Sequence, residues 1–167
     1  MAGVGTREGI PGVMRDSDLE EDCPRLLDCS YEIRSPRDPR YNCVAFAVGD
    51  TSQFWYDVYV NGYYWPPGAP SADTMEGWVK VFADHGYKET EVDDQGLEPE
   101  FEKVAIYASS EGPEHVARQR ASGVWASKMG KGCDIEHSAL TALEGAIMGK
   151  VVKIMKRKCN DGKRVLE

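Results

Sequence analysis

Positive charge is scarce in this chain of 167 residues: 20 Lys and Arg stand against 28 Asp and Glu, a formal net charge of −8. Affinity for nucleic acid rests largely on Lys and Arg displacing phosphate counterions. Neither nucleic acid nor an anionic membrane is therefore an expected partner. The five cysteines form no C-x-x-C pair, which removes the usual zinc-ribbon and thioredoxin-like signals. Their odd number leaves at least one thiol unpaired within the chain. No run approaches the roughly 18 apolar residues of a membrane span, and Met1–Ile10 carries no apolar signal region. The expected setting is a reducing cytoplasm without a disulfide framework, so contact with an external target would need delivery as an injected effector.

What is present is enough for a core. Hydrophobic residues make up 41% of the chain, with four Trp, eight Tyr and four Phe, which excludes global disorder. Residues 1–16 are Gly-rich and aperiodic and read as a flexible N-terminal arm, leaving 17–167 as a single domain. Asp18–Pro24 opens an acidic turn or short helix, and Pro36 and Pro39 make 34–40 a loop. A short buried helix is predicted over 43–48, with Asn42 as N-cap and Gly49 as its stop. Aromatics crowd 50–72, and a second helix is capped by Asp73 or Thr74 and ends at Gly86. The second half reads as β: runs at 101–108, 115–119 and 123–127 are separated by Gly-containing turns. A short helix at 140–148 and a last strand from Lys150 follow. The class is α+β, N-terminal helices packed on an antiparallel sheet.

Cys43 is the first chemical candidate. A thiol in the first turn of a helix faces unpaired N–H groups and the positive end of the dipole, and both favour thiolate. The same N–H groups can hold a tetrahedral oxyanion. The bland alternative is a small buried hydrophobe. A thiolate also needs a base, and there are three histidines. His85 reads as a helix-end residue, His115 begins an apolar strand, and His137 sits at an expected loop-to-helix boundary. Cys133 and His137, with Asp134 or Cys159, also suggest a metal site, but zinc wants a fuller ligand set. No metal and no cofactor are expected.

A cysteine opening a helix, then Lys103-Val-Ala-Ile-Tyr, a turn, and His115-Val-Ala-Arg-Gln opening the next strand, resembles the papain-like thiol hydrolases. The pattern is most similar to their NlpC-type branch of cysteine peptidases and amidases. The resemblance implies a papain-like fold with Cys43 as nucleophile and His115 as base. Ser127 then falls near the family's third position, with His137 and Asp134 as other candidates to orient the imidazole. It also implies an oxyanion site at the Cys43 N–H beside Tyr41 or Asn42, and a substrate groove walled by Trp55, Tyr64, Trp65 and Trp125. The implied activity is hydrolysis or acyl transfer at an amide, isopeptide or thioester bond of a peptide or acyl substrate. The other reading is an inactive papain-like binding or immunity module that uses the aromatic stretch 50–72 as its contact surface. The basic run 153–158 would then guard an edge strand.

Overall fold

The computed structural model describes residues 15–160, 163, 164 and 166. Its centre is an antiparallel sheet of seven strands, and the general α+β class read from the sequence is what it shows. The strands are β1 (Tyr31–Ser35), β4 (Lys88–Thr90), β5 (Phe101–Ser109), β6 (Gly112–Gln119), β7 (Trp125–Lys128), β8 (Asp134–His137) and β9 (Lys150–Lys158). They lie in the order β1-β8-β7-β6-β5-β9-β4. A two-residue parallel pairing, β2 (Phe54–Trp55) with β3 (Tyr63–Tyr64), folds the aromatic stretch back on itself.

Both faces of the sheet are covered, because neighbouring residues along β5 are buried on opposite sides. Val104 and Ile106 join Val116, Ala126 and Met155 under helices α2 (Cys43–Val48) and α3 (Met75–Asp84). Ala105 and Tyr107 join Ala117, Trp125, Ile135 and Ile154 under a second layer, built from the 3-10 turns Pro24–Asp28 and Leu140–Leu143. Helix α1 (Ser17–Asp22) starts where Asp16 accepts from the Asp18 and Leu19 N–H groups. Asp16 is itself buried, and its N–H donates to Tyr31 Oη at 2.8 Å. The expected arm therefore loses its last two residues to the folded body, and positions 1–14 lie outside the described residues.

The local signals for α2 and α3 act as read. Asn42 Oδ1 accepts from the Ala45 N–H, and Gly49 ends α2 in the left-handed region at φ 93°. Thr74 caps α3 by accepting from the Gly77 N–H. Three expectations are corrected. The helix at 140–148 shrinks to one 3-10 turn, because Glu144 leaves it extended and Gly145 bridges to Gly149. His137 and Asp134 lie in β8 and not at a helix boundary. The run 153–158 guards no edge, since β9 is paired on both sides, by β5 and β4. Its cations instead meet Glu89, Asp94, Glu98 and Glu102.

Candidate functional site

The sheet divides where β6 leaves β7. These strands ladder only at Arg118–Ala126 and Gln119–Trp125. Residues 112–117 of β6 keep β5 on one edge and, among the described residues, have no strand on the other. Helix α2 packs against both strands, so its first residue, Cys43, sits in this fork. The backbone N–H groups of Val116, Val44 and Cys43 itself bear on the sulfur and favour its anion.

Burial opposes them. Cys43 is only 7% exposed, and desolvation pushes its thiol up to about 11. This corrects the expectation of a thiolate depressed by its place at a helix start: in a low-dielectric fork, burial outweighs three N–H dipoles. The resting group is a thiol.

Alternation along β6 separates the two leading candidates. Val116 and Arg118 face α2, the latter laying its guanidinium over Phe46 at 4.8 Å. His115 and Ala117 face the other way, and the His115 ring meets Tyr107 at 5.4 Å between centroids. No hydrogen bond joins Cys43 to a histidine among the described residues. His115 is 1% exposed and its Nε2 has no partner. Burial, with the His137 charge second, pushes it down to about 3, so the ring is neutral.

Ser127 orients a histidine other than the expected one. Its Oγ lies 2.8 Å from His137 Nε2, while His137 Nδ1 lies 3.0 Å from the Ala139 carbonyl. A carbonyl only accepts, so Nδ1 carries the proton in the neutral ring and Nε2 accepts from the Ser127 hydroxyl. Burial holds His137 down at about 4. His115, Ser127 and His137 thus share the face away from α2.

Asp134 belongs to the α2 side, opposite Lys128 in the β7–β8 ladder, and its Oδ1 is buried without a partner. Asn42 is not placed as an oxyanion donor. Its Oδ1 accepts from the Ala45 and Trp55 N–H groups at 3.2 and 3.1 Å, and its Nδ2 donates to the Trp55 carbonyl at 3.0 Å. That amide is a cap that also pins the aromatic stretch. Tyr41 is buried against Phe46, with its ring 4.6 Å from Lys128 Nζ. The four proposed groove residues do not share a wall. Trp55 and Tyr64 meet edge-on at 4.8 Å beside α2, with Trp65 packed on the same cluster. Trp125 is buried on the opposite face.

Lys128 is the residue that sequence reading undervalued. Fully buried, it donates to the carbonyls of Asp38 at 2.7 Å, Tyr41 at 3.0 Å and Gly130 at 2.7 Å. Its charge also acts on Cys43. No parity signal could have found it, because Trp125 to Lys128 are all buried. Among the described residues, no group of three or more His, Cys, Asp or Glu gathers in a way that would hold a metal.

Residues 32–156, about three quarters of the chain, match a family model described as "Domain of unknown function (DUF7689)". The chain belongs to this family. The matched span runs from β1 into β9 and takes in Cys43, His115, the Ser127–Lys128 pair and His137. No curated protein and no solved structure matches the chain.

Proposed function

We propose that this DUF7689 member is a cysteine-dependent hydrolase or acyl transferase, acting on an amide, isopeptide or thioester bond of a peptide or acyl substrate. One observation carries the reading: Cys43 opens α2, beside the cluster of backbone N–H groups at that helix's N-terminus, at a break in the sheet. Such a cluster is suited to a thiolate and, once acylated, to the oxyanion of a tetrahedral intermediate. Cys43 Sγ bonds to the carbonyl carbon as its proton passes to an imidazole. Collapse breaks the bond to the leaving amine or thiol, which takes that proton. Water or an acceptor amine then releases the acyl group from sulfur.

His115 is the base in this reading. A neutral imidazole with an unpartnered Nε2 has the lone pair that the step requires; because the ring packs on Tyr107, on the face away from α2, it has to turn through the β6–β7 fork to meet the thiol. Because the resting thiol is high and the imidazole low, proton transfer accompanies substrate binding and no standing ion pair precedes it. The papain-like relationship and a cytoplasmic setting belong to the same proposal. Five unpaired cysteines accord with that setting, and no helix among the described residues is long and apolar enough to cross a membrane.

The test is acylation by p-nitrophenyl acetate and a benzyl thioester, read by intact mass and peptide mapping. One acyl group on Cys43, absent in Cys43→Ser and slowed at least tenfold in His115→Ala, is the expected result. Turnover retained in Cys43→Ser ends the thiol mechanism.

The second reading, a binding or immunity module, draws on a separate observation. At the tip of the aromatic stretch, Val58, Tyr59 and Val60 are all exposed while Trp55 turns inward. Absence of any acyl adduct, with a partner lost on Tyr59→Ser, would favour it.

A further inference from the structure

We propose that Lys128 is the positioning residue of the Cys43 site: it ties the segment that delivers Cys43 to the β7–β8 turn, and its ammonium is the positive charge a Cys43 thiolate meets. The charge part rests on the thiol reading above; the positioning part does not.

The argument starts from saturation. A lysine ammonium has three N–H donors, and Lys128 directs Nζ to three carbonyls, those of Asp38, Tyr41 and Gly130. Two of these belong to the loop leading into α2, and Tyr41 stands two residues before the nucleophile. The third belongs to the turn after β7. The Tyr41 ring lies 4.6 Å from the same nitrogen, covering the ammonium. The Asp38 N–H also donates to the Gly132 carbonyl at 3.2 Å, a second tie between the same two segments. Only Lys128 adds charge to that tie.

Saturation also excludes Lys128 as the general base. With its three protons on carbonyls and its fourth bond to Cε, the nitrogen has no lone pair to offer unless one carbonyl is abandoned. Its action on Cys43 is through geometry and field.

The groups that set this field are few. Burial pushes the Lys128 ammonium down to about 8, against the pull of Asp38 and Asp134, and of Cys133 and Cys43 when ionised; at neutral pH it is charged. Lys128 acts on Cys43 through its charge, beside burial and backbone N–H groups; Arg118 also faces α2, with its guanidinium laid over Phe46. His115, although on the adjoining strand, is neutral and faces Tyr107.

Lys128→Met and Lys128→Arg in the full-length protein separate the two parts. Hydrogen exchange of peptides covering 36–46 reads positioning, and iodoacetamide alkylation of Cys43 from pH 7 to 10, mapped by peptide, reads charge. Half-exposed Cys29 is the internal control. In Lys128→Met, exchange over 36–46 should quicken at least tenfold, and Cys43 alkylation at pH 7, where the parent's ammonium is charged, should slow about tenfold, the effect of losing one nearby opposite charge. Cys29 should be unchanged. Lys128→Arg, which keeps charge and donors, should stay within about threefold of the parent in both measurements. Should Lys128→Met fail to fold, Lys128→Gln replaces it, keeping two of the three donors without charge: alkylation falls as in Lys128→Met, while exchange quickens less than tenfold.

Unchanged exchange in Lys128→Met overturns the proposal, as does an arginine variant no better than the methionine one. Quickened exchange with a Cys43 that no variant, nor the parent, alkylates in the native state leaves Lys128 as the anchor and removes the thiol reading instead.

Discussion

Two neutral histidines buried on one face of the sheet should make this protein acid-sensitive well above the range in which carboxylates titrate. Burial holds His115 at about 3 and His137 at about 4, against 6.5 for a free imidazole. A base depressed in the folded state binds its proton more readily when unfolded. Stability is thus complete above pH 6.5 and drains as pH falls toward the folded values. At pH 4.5 the unfolded chain has taken up both protons, whereas in the folded chain His115 has taken almost none and His137 about a quarter of one. Each histidine then costs about 2.5 kcal/mol relative to pH 7, roughly 5 kcal/mol for the pair. Domains of this size are commonly stable by about 5–15 kcal/mol, so the loss is a large share of the total.

The carboxylates do not confuse this window. Asp38 and Asp50 are held down at about 2, chiefly by Arg40 for the first and by hydrogen bonds from Ser52 and Trp55 that outweigh burial for the second. Their contributions are lost only as pH falls below about 4. Urea unfolding followed by tryptophan fluorescence at pH 7.0, 5.5 and 4.5 measures the effect. His115→Leu sharpens it. That substitution removes a buried nitrogen that has no partner, so stability at pH 7 should hold or rise, while the loss to pH 4.5 should fall by about half. A parent protein losing less than about 1 kcal/mol over the range would refute the reasoning, as would a leucine variant that keeps the full slope.

Other outcomes follow from single contacts. Asn42→Ala removes the α2 cap and leaves the Trp55 N–H and carbonyl unpaired; a loss of about 2–4 kcal/mol in chemical denaturation is expected. Gly149→Ala places a Cβ against the Ala108 carbonyl at φ 75°; its melting temperature should fall by several degrees, whereas Gly130→Ala, with open space around it, should fall less. Tyr107→Phe loses the 2.7 Å hydrogen bond to the Leu140 carbonyl and should cost about 1–3 kcal/mol in urea unfolding. Excess chelator should move neither melting temperature nor acylation, and a stoichiometric zinc lost together with Cys133 or His137 would contradict that.

Elements with strong local signals were legible. Asn42 and Gly49 bracket α2, Thr74 opens α3, and β5, β6, β7 and β9 are runs of β-formers set apart by turns. The strands that escaped were the short β2, β3 and β4 and, most tellingly, β1 and β8, Tyr-Glu-Ile-Arg-Ser and Asp-Ile-Glu-His. Each alternates charge with apolar side chains over only four or five residues, and neither looks stable without the other. They pair in register, Tyr31 with His137 and Ile33 with Ile135, burying one side while Glu32, Arg34 and Glu136 line the other. Such mutual dependence has no signature within a short window. The segment 140–148 misled for a related reason: Leu140, Ala142 and Leu143 are buried as a helix face would be, but the pattern stops at Glu144.

Which face a side chain takes was the deeper limit. In a sheet covered on one side, polar and apolar residues alternate and parity can be read directly. Here Val104 to Tyr107 are all buried, so neither parity is marked as the side of α2. His115 and Val116 were therefore equally good neighbours for Cys43 in sequence, and only the packing separates them. The same ambiguity hid Lys128, which a polar-outward rule would send to solvent. It lies inward because the fork between β6 and β7 leaves loop carbonyls that need a donor. A buried backbone oxygen without a partner costs about 1–3 kcal/mol; the Tyr41 carbonyl is such a group, and the same ammonium also serves the part-buried Asp38 and Gly130 carbonyls. The break in the sheet thus gives Cys43 its place and obliges the chain to supply a cation beside it. A serine at 43 would keep that cation, and a methionine at 128 would lose it. For that reason the two substitutions, made separately and together, should act non-additively on any chemistry at the fork.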